Sequence, residues 1–126
     1  MLLPDASGGH KNKEGLVMKV RNYLDTKPIH ELPGLVKREV ITADDGAPHF
    51  CMRVFELEPG SSIPLHSHPW EHEIFVLSGQ GVALTEDGET QVVKENVIFV
   101  PPNEQHGFAN NSNQPLRFIC VIPLGT

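Results

Sequence analysis

Four histidines are the residues of this chain best placed to do chemistry. His66, His68 and His72 lie in His66-Ser67-His68-Pro69-Trp70-Glu71-His72-Glu73, so three of the chain's 7 histidines fall within one short stretch. His106 follows in Pro101-Pro102-Asn103-Glu104-Gln105-His106-Gly107-Phe108. Neutral imidazole is a common ligand for zinc, copper, iron and nickel. A lone histidine is more often packing or surface than a ligand. Three at His-x-His-x-x-x-His spacing, with a fourth from a remote segment, point to one divalent metal ion. His10, His30 and His49 lack such neighbours and receive no role.

Such a site needs elements that converge. On a strand, residues two apart share a face, so His66 and His68 aim the same way, about 7 Å apart. Bringing both nitrogens to one ion at about 2.0–2.1 Å requires a bend. Pro64 and Pro69 make a departure from regular pairing available there. Pro69-Trp70 supplies a turn, and His72 then opens the next strand. Glu73 is the alternative ligand in a shifted register, but neighbouring strand residues point to opposite faces.

The rest of the chain reads as short strands between turns. Strands are expected over Met18–Tyr23, Leu35–Thr42, His49–Glu58, Glu73–Ser78, Val97–Val100, Gly107–Asn110 and Leu116–Ile122. Gly81–Glu86 is expected to pair with Glu89–Lys94 across Asp87-Gly88, a dipeptide favoured in two-residue hairpins. The 11 glycines and 11 prolines fall mostly between these runs, and no segment shows a convincing helical period. The expectation is a single all-β domain, sandwich or barrel, over residues 18–126, preceded by a disordered tail over residues 1–17.

Composition narrows the partners. A net charge of −6 without basic clusters argues against nucleic acid and anionic membrane. A small molecule or a second copy of the chain is the expected partner. No apolar run approaches the roughly 20 residues that span a bilayer. Cys51 and Cys120 each sit in an apolar run, and nothing resembles a secreted disulfide scaffold. With no long apolar run near Met1, the expected location is cytoplasmic.

Two longer patterns carry a family resemblance. Gly60-x5-His66-x-His68-x3-His72-x6-Gly79 resembles the first cupin motif, and Pro101-x-Asn103-x2-His106-x3-Asn110 resembles the second. The resemblance implies a double-stranded β-helix (jelly-roll) barrel, commonly a homodimer. It implies one divalent metal near the barrel mouth, held by His66, His68, His72 and His106. The chain departs from the family at His72, where glutamate is usual. Glu95 and Asn103 stand at glycine positions of the second motif. Asparagine tolerates left-handed backbone and glutamate does not, so the turn at Glu95 is expected to differ.

Four neutral ligands leave the full +2 charge on the ion and remove a carboxylate that could serve as base. This counts against the oxalate-oxidising and flavonol-cleaving chemistry of three-His, one-Glu cupins. The sequence is more similar to small single-domain cupins with four-His sites, some of which bind manganese. Manganese is therefore the favoured ion, ahead of iron, nickel, zinc and copper. The resemblance also sets the phase of the strands. Phe55, Phe108, Phe118 and Ile122 would line the substrate pocket, with Arg53 as its one cation. Arg53, Cys120 and Glu73 are the candidate catalytic residues, Cys120 as an oxidisable thiol and Glu73 as a partner that orients a ligand. The expected function is a dioxygenase-type oxidoreductase acting on a small organic substrate. The alternatives are a binding or sensing module without turnover and a metal-dependent lyase or isomerase.

Overall fold

The computed structural model describes residues 15–126. The expected tail falls outside the described residues except for 15–17, as does His10. Nine strands occur among the described residues: β1 Leu35–Ile41, β2 Phe50–Leu57, β3 Ser62–His66, β4 His72–Ser78, β5 Gln80–Thr85, β6 Gly88–Val93, β7 Val97–Val100, β8 His106–Ala109 and β9 Leu116–Pro123. Two single-turn 3-10 helices, Tyr23–Asp25 and Ala43–Asp45, are the only helical elements among them. None is long and apolar enough to cross a membrane.

The strands form two antiparallel sheets, ordered β1-β2-β9-β4-β7 and β3-β8-β5-β6. Alternation along β9 shows why: Leu116, Phe118, Cys120 and Ile122 are buried, and the residues between them are not. Opposite them on β2, Leu57 pairs with Leu116, Phe55 with Phe118, Arg53 with Cys120 and Cys51 with Ile122. On β4 the buried positions are His72, Ile74 and Val76. These residues form one core with Leu35 of β1, Val100 of β7 and Phe108 of β8. The architecture is the expected double-stranded β-helix barrel, and the phase assigned to β2 and β9 is the observed one.

Three local expectations are corrected. Met18–Tyr23 is not a strand. Side chains anchor this segment instead: Arg21 donates to the Val40 carbonyl at 2.5 Å and to Asp45 at 2.7 Å, and Lys19 lies 3.5 Å from Asp45. The β5–β6 hairpin turns over Glu86-Asp87, because Thr85 pairs with Gly88. The Thr85 hydroxyl accepts from the Asp87 amide at 3.2 Å and stabilises that turn, which is one residue earlier than expected. Finally, Glu95 does adopt a left-handed backbone, with φ of 74°, as does Asn103 at 69°. Around Glu95 the turn is closed by Glu95 N–H to Val76 O and Val76 N–H to Asn96 O, both at 2.9 Å. Tertiary hydrogen bonds thus impose a conformation that an L-residue with a Cβ takes at a cost of about 1–2 kcal/mol.

Two glycines set close approaches. A Cβ on Gly79, between β4 and β5, would sit 2.1 Å from the Pro115 carbonyl oxygen. A Cβ on Gly107, beside His106, would sit 2.5 Å from the Ile63 carbonyl oxygen. The second contact lets β8 lie tightly on β3. Asn110 holds the other end of that pair. It is 2% exposed, donates to the Leu57 and Gln114 carbonyls at 2.8 and 2.7 Å, and its amide bonds Ser61 O at 3.0 Å.

Candidate metal centre

The four histidines come from three strand ends and one connection. His66 closes β3, His72 opens β4, His106 opens β8, and His68 lies between β3 and β4. His66 pairs with His106, whereas Ile63 pairs with Phe108, so β3 carries one extra residue against β8. The irregularity falls at Pro64-Leu65, where proline lacks the N–H that a regular ladder would use. Such a bulge re-aims the following side chain. It is the bend that convergence of His66 and His68 requires. A hydrogen bond from the Asn103 amide to the His68 carbonyl, 2.8 Å, ties the His68 connection to the corner before β8.

The rings converge. Centroids lie 4.3 Å apart for His66 and His106, 4.4 Å for His68 and His72, 4.9 Å for His68 and His106, and 5.1 Å for His72 and His106. One ring nitrogen from each of His66, His68 and His106 lies within 4.8 Å of the other two. His72 Nε2 lies 2.7 Å from His68 Nε2. The opposite ring nitrogens are all engaged. Nδ1–H of His66 donates to Pro64 O at 2.8 Å, of His106 to Glu104 O at 2.8 Å, and of His68 to Trp70 O at 3.3 Å. A carbonyl can only accept, so each of these three rings carries a proton on Nδ1, which leaves Nε2 as the atom able to ligate a metal. The fourth ring has Nδ1 2.7 Å from Cys120 Sγ.

Burial disfavours the charged form of three of the four rings, His68, His72 and His106. His72 and His106 are buried, His68 is half-buried and His66 is exposed. Burial, reinforced by His68 and Arg53, pushes the His72 imidazole down to about 3. Burial likewise lowers His106 and His68. Cys120 is pushed up by burial and so favours the thiol. Four clustered imidazoles suit a borderline divalent transition metal better than calcium or magnesium, which prefer oxygen. Among the described residues the donor set fits such an ion.

Beneath the histidines lies a cavity of about 400 Å³. Arg53, Phe55, Phe108, Phe118 and Cys120 are among the residues that line it. Ile122 is buried in the core but does not reach the cavity wall. Glu73 is exposed on the outer face of β4, away from the cavity, while its neighbour His72 points inward. Burial raises Glu73, and a carboxyl–carboxyl contact with Glu71 adds to this. Arg53 is also not the one cation of the pocket, because Lys37 lines it with its ion-pair partner Glu31. Lys37 lies two residues after Leu35 and opposite Phe55, so its place on the inner face was legible once β1 was in register with β2. Trp70 also lines the cavity, with its ring stacked on His68 at 4.2 Å and 4°.

A barrel of this topology with a histidine cluster at one end of its cavity is a cupin. The cupin domain model (Cupin_2) matches residues 53–122, and the chain belongs to that family. It is 37% identical over 110 residues to the oxalate-binding protein of Thermotoga maritima, covering 84% of this chain and 85% of that one. Its fold is similar to the polyketide cyclase RemF from Streptomyces resistomycificus, with a TM-score of 0.79 and 35% identity over 85% of this chain and 80% of the other. A structure described as a predicted oxalate decarboxylase, also from T. maritima, superposes with a TM-score of 0.72 at 26% identity, over 83% of this chain and 98% of that one.

Proposed function

We propose that this cupin holds one divalent metal ion through His66, His68, His72 and His106 and is a dioxygenase-type oxidoreductase acting on a small organic substrate. The single observation that carries the metal reading is that all four Nδ1 atoms are engaged, by three backbone carbonyls and one sulfur, while two Nε2 atoms meet at 2.7 Å. When bound, the ion would supply a Lewis-acidic and, for manganese or iron, redox-active centre. Manganese is the favoured ion, since the four-His cupins the sequence resembles include manganese-binding members. The protein's own part is positioning and water exclusion. His68 is backed by Trp70, the aromatic wall of Phe55, Phe108 and Phe118 keeps the cavity apolar, and Arg53 offers a guanidinium beside His72.

A non-redox reading is favoured by a specific observation. Two relatives at 35% identity or more are named for oxalate binding and for polyketide cyclisation, and neither name is that of an oxidoreductase. In this reading the ion binds and polarises an oxygen-bearing ligand without electron transfer. Among the described residues Glu31 is the one acid on the cavity wall, which fits either reading. Admitting O₂ to anaerobic protein loaded with Fe(II) or Mn(II) separates them. The oxidoreductase reading expects a change in the metal's optical or paramagnetic spectrum. An unchanged spectrum, with oxalate bound equally in air and under nitrogen, would leave the non-redox reading.

We further infer a homodimer. Support comes from apolar side chains on the outer face of the five-stranded sheet, where Phe75, Val97 and Phe99 are 42, 75 and 62% exposed. Both cysteines are free and buried, which fits a reducing cytoplasmic setting.

A further inference from the structure

Arg53 is an unusual side chain for a cavity wall. Its Nε is buried and has no hydrogen-bond partner. Its terminal nitrogen reaches only Cys120 Sγ at 3.1 Å and His72 Nδ1 at 3.5 Å. The ion pairs among the described residues are Lys19–Asp45, Arg21–Asp45 and Lys37–Glu31, and none includes Arg53. Arg53 is half-buried, and a guanidinium partly withdrawn from water without a carboxylate leaves donors for something else to complete. A second buried donor without an acceptor, Trp70 Nε1, belongs to the same cavity wall. Lys37 adds a second cation there, held by the exposed Glu31. The cavity wall thus offers unsatisfied donors and, with Lys37 paired to Glu31, one cation outside any ion pair, Arg53, although the chain as a whole carries −6.

The remaining wall is flat and apolar. Phe55 stacks on Phe118 at 5.2 Å and 20°, and Phe108 lies 5.0 Å from Phe118. The Arg53 guanidinium sits 5.1 Å from the centre of the Phe55 ring, so the cation and the aromatic surface are contiguous.

We propose that the cavity is an organic-acid site: a small planar acid binds with its carboxylate on Arg53 and its apolar body along Phe55, Phe108 and Phe118, with Lys37 drawing the anion in. This rests on the reading of the same cavity as a metal-containing ligand site and names its ligand class. Arg53 is the specificity-determining residue. A carboxylate matches the guanidinium fork in two parallel hydrogen bonds, whereas a neutral amide of the same shape brings one acceptor and two donors.

Benzoate and benzamide test this as a charged and uncharged pair, titrated calorimetrically into metal-loaded full-length protein. Benzoate is expected to bind at least tenfold more tightly than benzamide. Arg53→Met should erase that preference. Arg53→Lys, which keeps the charge and loses the fork, should retain a reduced preference and guards against a misfolded methionine variant. Lys37→Met should weaken benzoate a fewfold and leave benzamide unchanged. Elemental analysis of each variant is run alongside, so that loss of metal, which would indict the metal reading, is distinguished from loss of acid preference. Failure of benzoate to bind the metal-loaded wild type, equal binding of the two probes, or an undiminished preference in both Arg53 variants overturns the inference.

Discussion

His72 Nδ1 lies 2.7 Å from Cys120 Sγ, on the inner face shared by the adjacent strands β4 and β9. The other three rings meet backbone carbonyls through Nδ1, so among the described residues His72 is the candidate ligand whose Nδ1 meets side chains, Cys120 most closely. Groups that support a metal-binding histidine typically contribute 10–100-fold in affinity. Cys120→Ala is therefore expected to weaken divalent-metal affinity by about 10-fold or more, measured by competition with a chelating dye. Cys51→Ala, which removes the other buried thiol, should leave affinity unchanged. Wild-type affinity in Cys120→Ala would show that the sulfur contact is packing alone.

The depressed His72 imidazole makes the metal-free protein acid-sensitive. In the unfolded chain a histidine titrates near 6.5, whereas folded His72 titrates at about 3, chiefly because it is buried. Between those values the unfolded state binds more protons. Stability is therefore fullest above about 6.5 and declines as pH falls toward about 3. His68 and His106, also lowered by burial, act in the same direction. Thermal melts of chelator-treated protein between pH 7.5 and 5 should show a falling Tm, with a shallower slope in His72→Gln. A pH-independent Tm, or an unaltered slope in the variant, contradicts this.

Gly107→Ala should damage fold and site together. The added methyl meets the Ile63 carbonyl oxygen at 2.5 Å and must push β8 from β3. Overpacking of this kind costs about 1–3 kcal/mol, and it displaces His106 relative to His66 on the paired strand. Chemical denaturation should report the loss in stability, and dye competition a weaker metal affinity. A variant unchanged in both would refute the close-approach argument.

Glu95→Gly should stabilise the protein. Relief of left-handed strain contributes about 1–2 kcal/mol, offset by about 0.5–1 kcal/mol of extra chain entropy. The expected gain is about 0.5–1 kcal/mol in a denaturant melt, without change in metal affinity. A loss of stability would mean that the glutamate side chain makes a contribution its φ of 74° conceals.

Much of this architecture was legible in residue order because buried alternation is a local signal. Leu116, Phe118, Cys120 and Ile122 announce β9, and the family motifs fix which face looks inward. His72 over Glu73 was legible for the same reason, since neighbouring strand residues face opposite ways. What escaped depends on contacts remote in sequence. Met18–Tyr23 has the composition of a strand but lies outside the ladders, held instead by Arg21 and Lys19 on Asp45. The turn at Glu95 is dictated by Val76, and no propensity of glutamate reveals that. Lys37 reads as a surface lysine until the β1–β2 register places it opposite Phe55. Ile122 has the right face but lies one step beyond the reach of the cavity.

His66, His68, His72 and His106 are proposed to hold one divalent ion together. Anomalous diffraction at the metal edge, from crystals of the purified protein, tests it most directly. A single peak per chain is expected, at bonding distance of about 2.0–2.2 Å from the Nε2 atoms of all four histidines, lost in His66→Ala and His106→Ala but not in Glu73→Gln. A peak elsewhere, a peak that excludes His72 and includes Glu73, or full retention of metal in both alanine variants would contradict it.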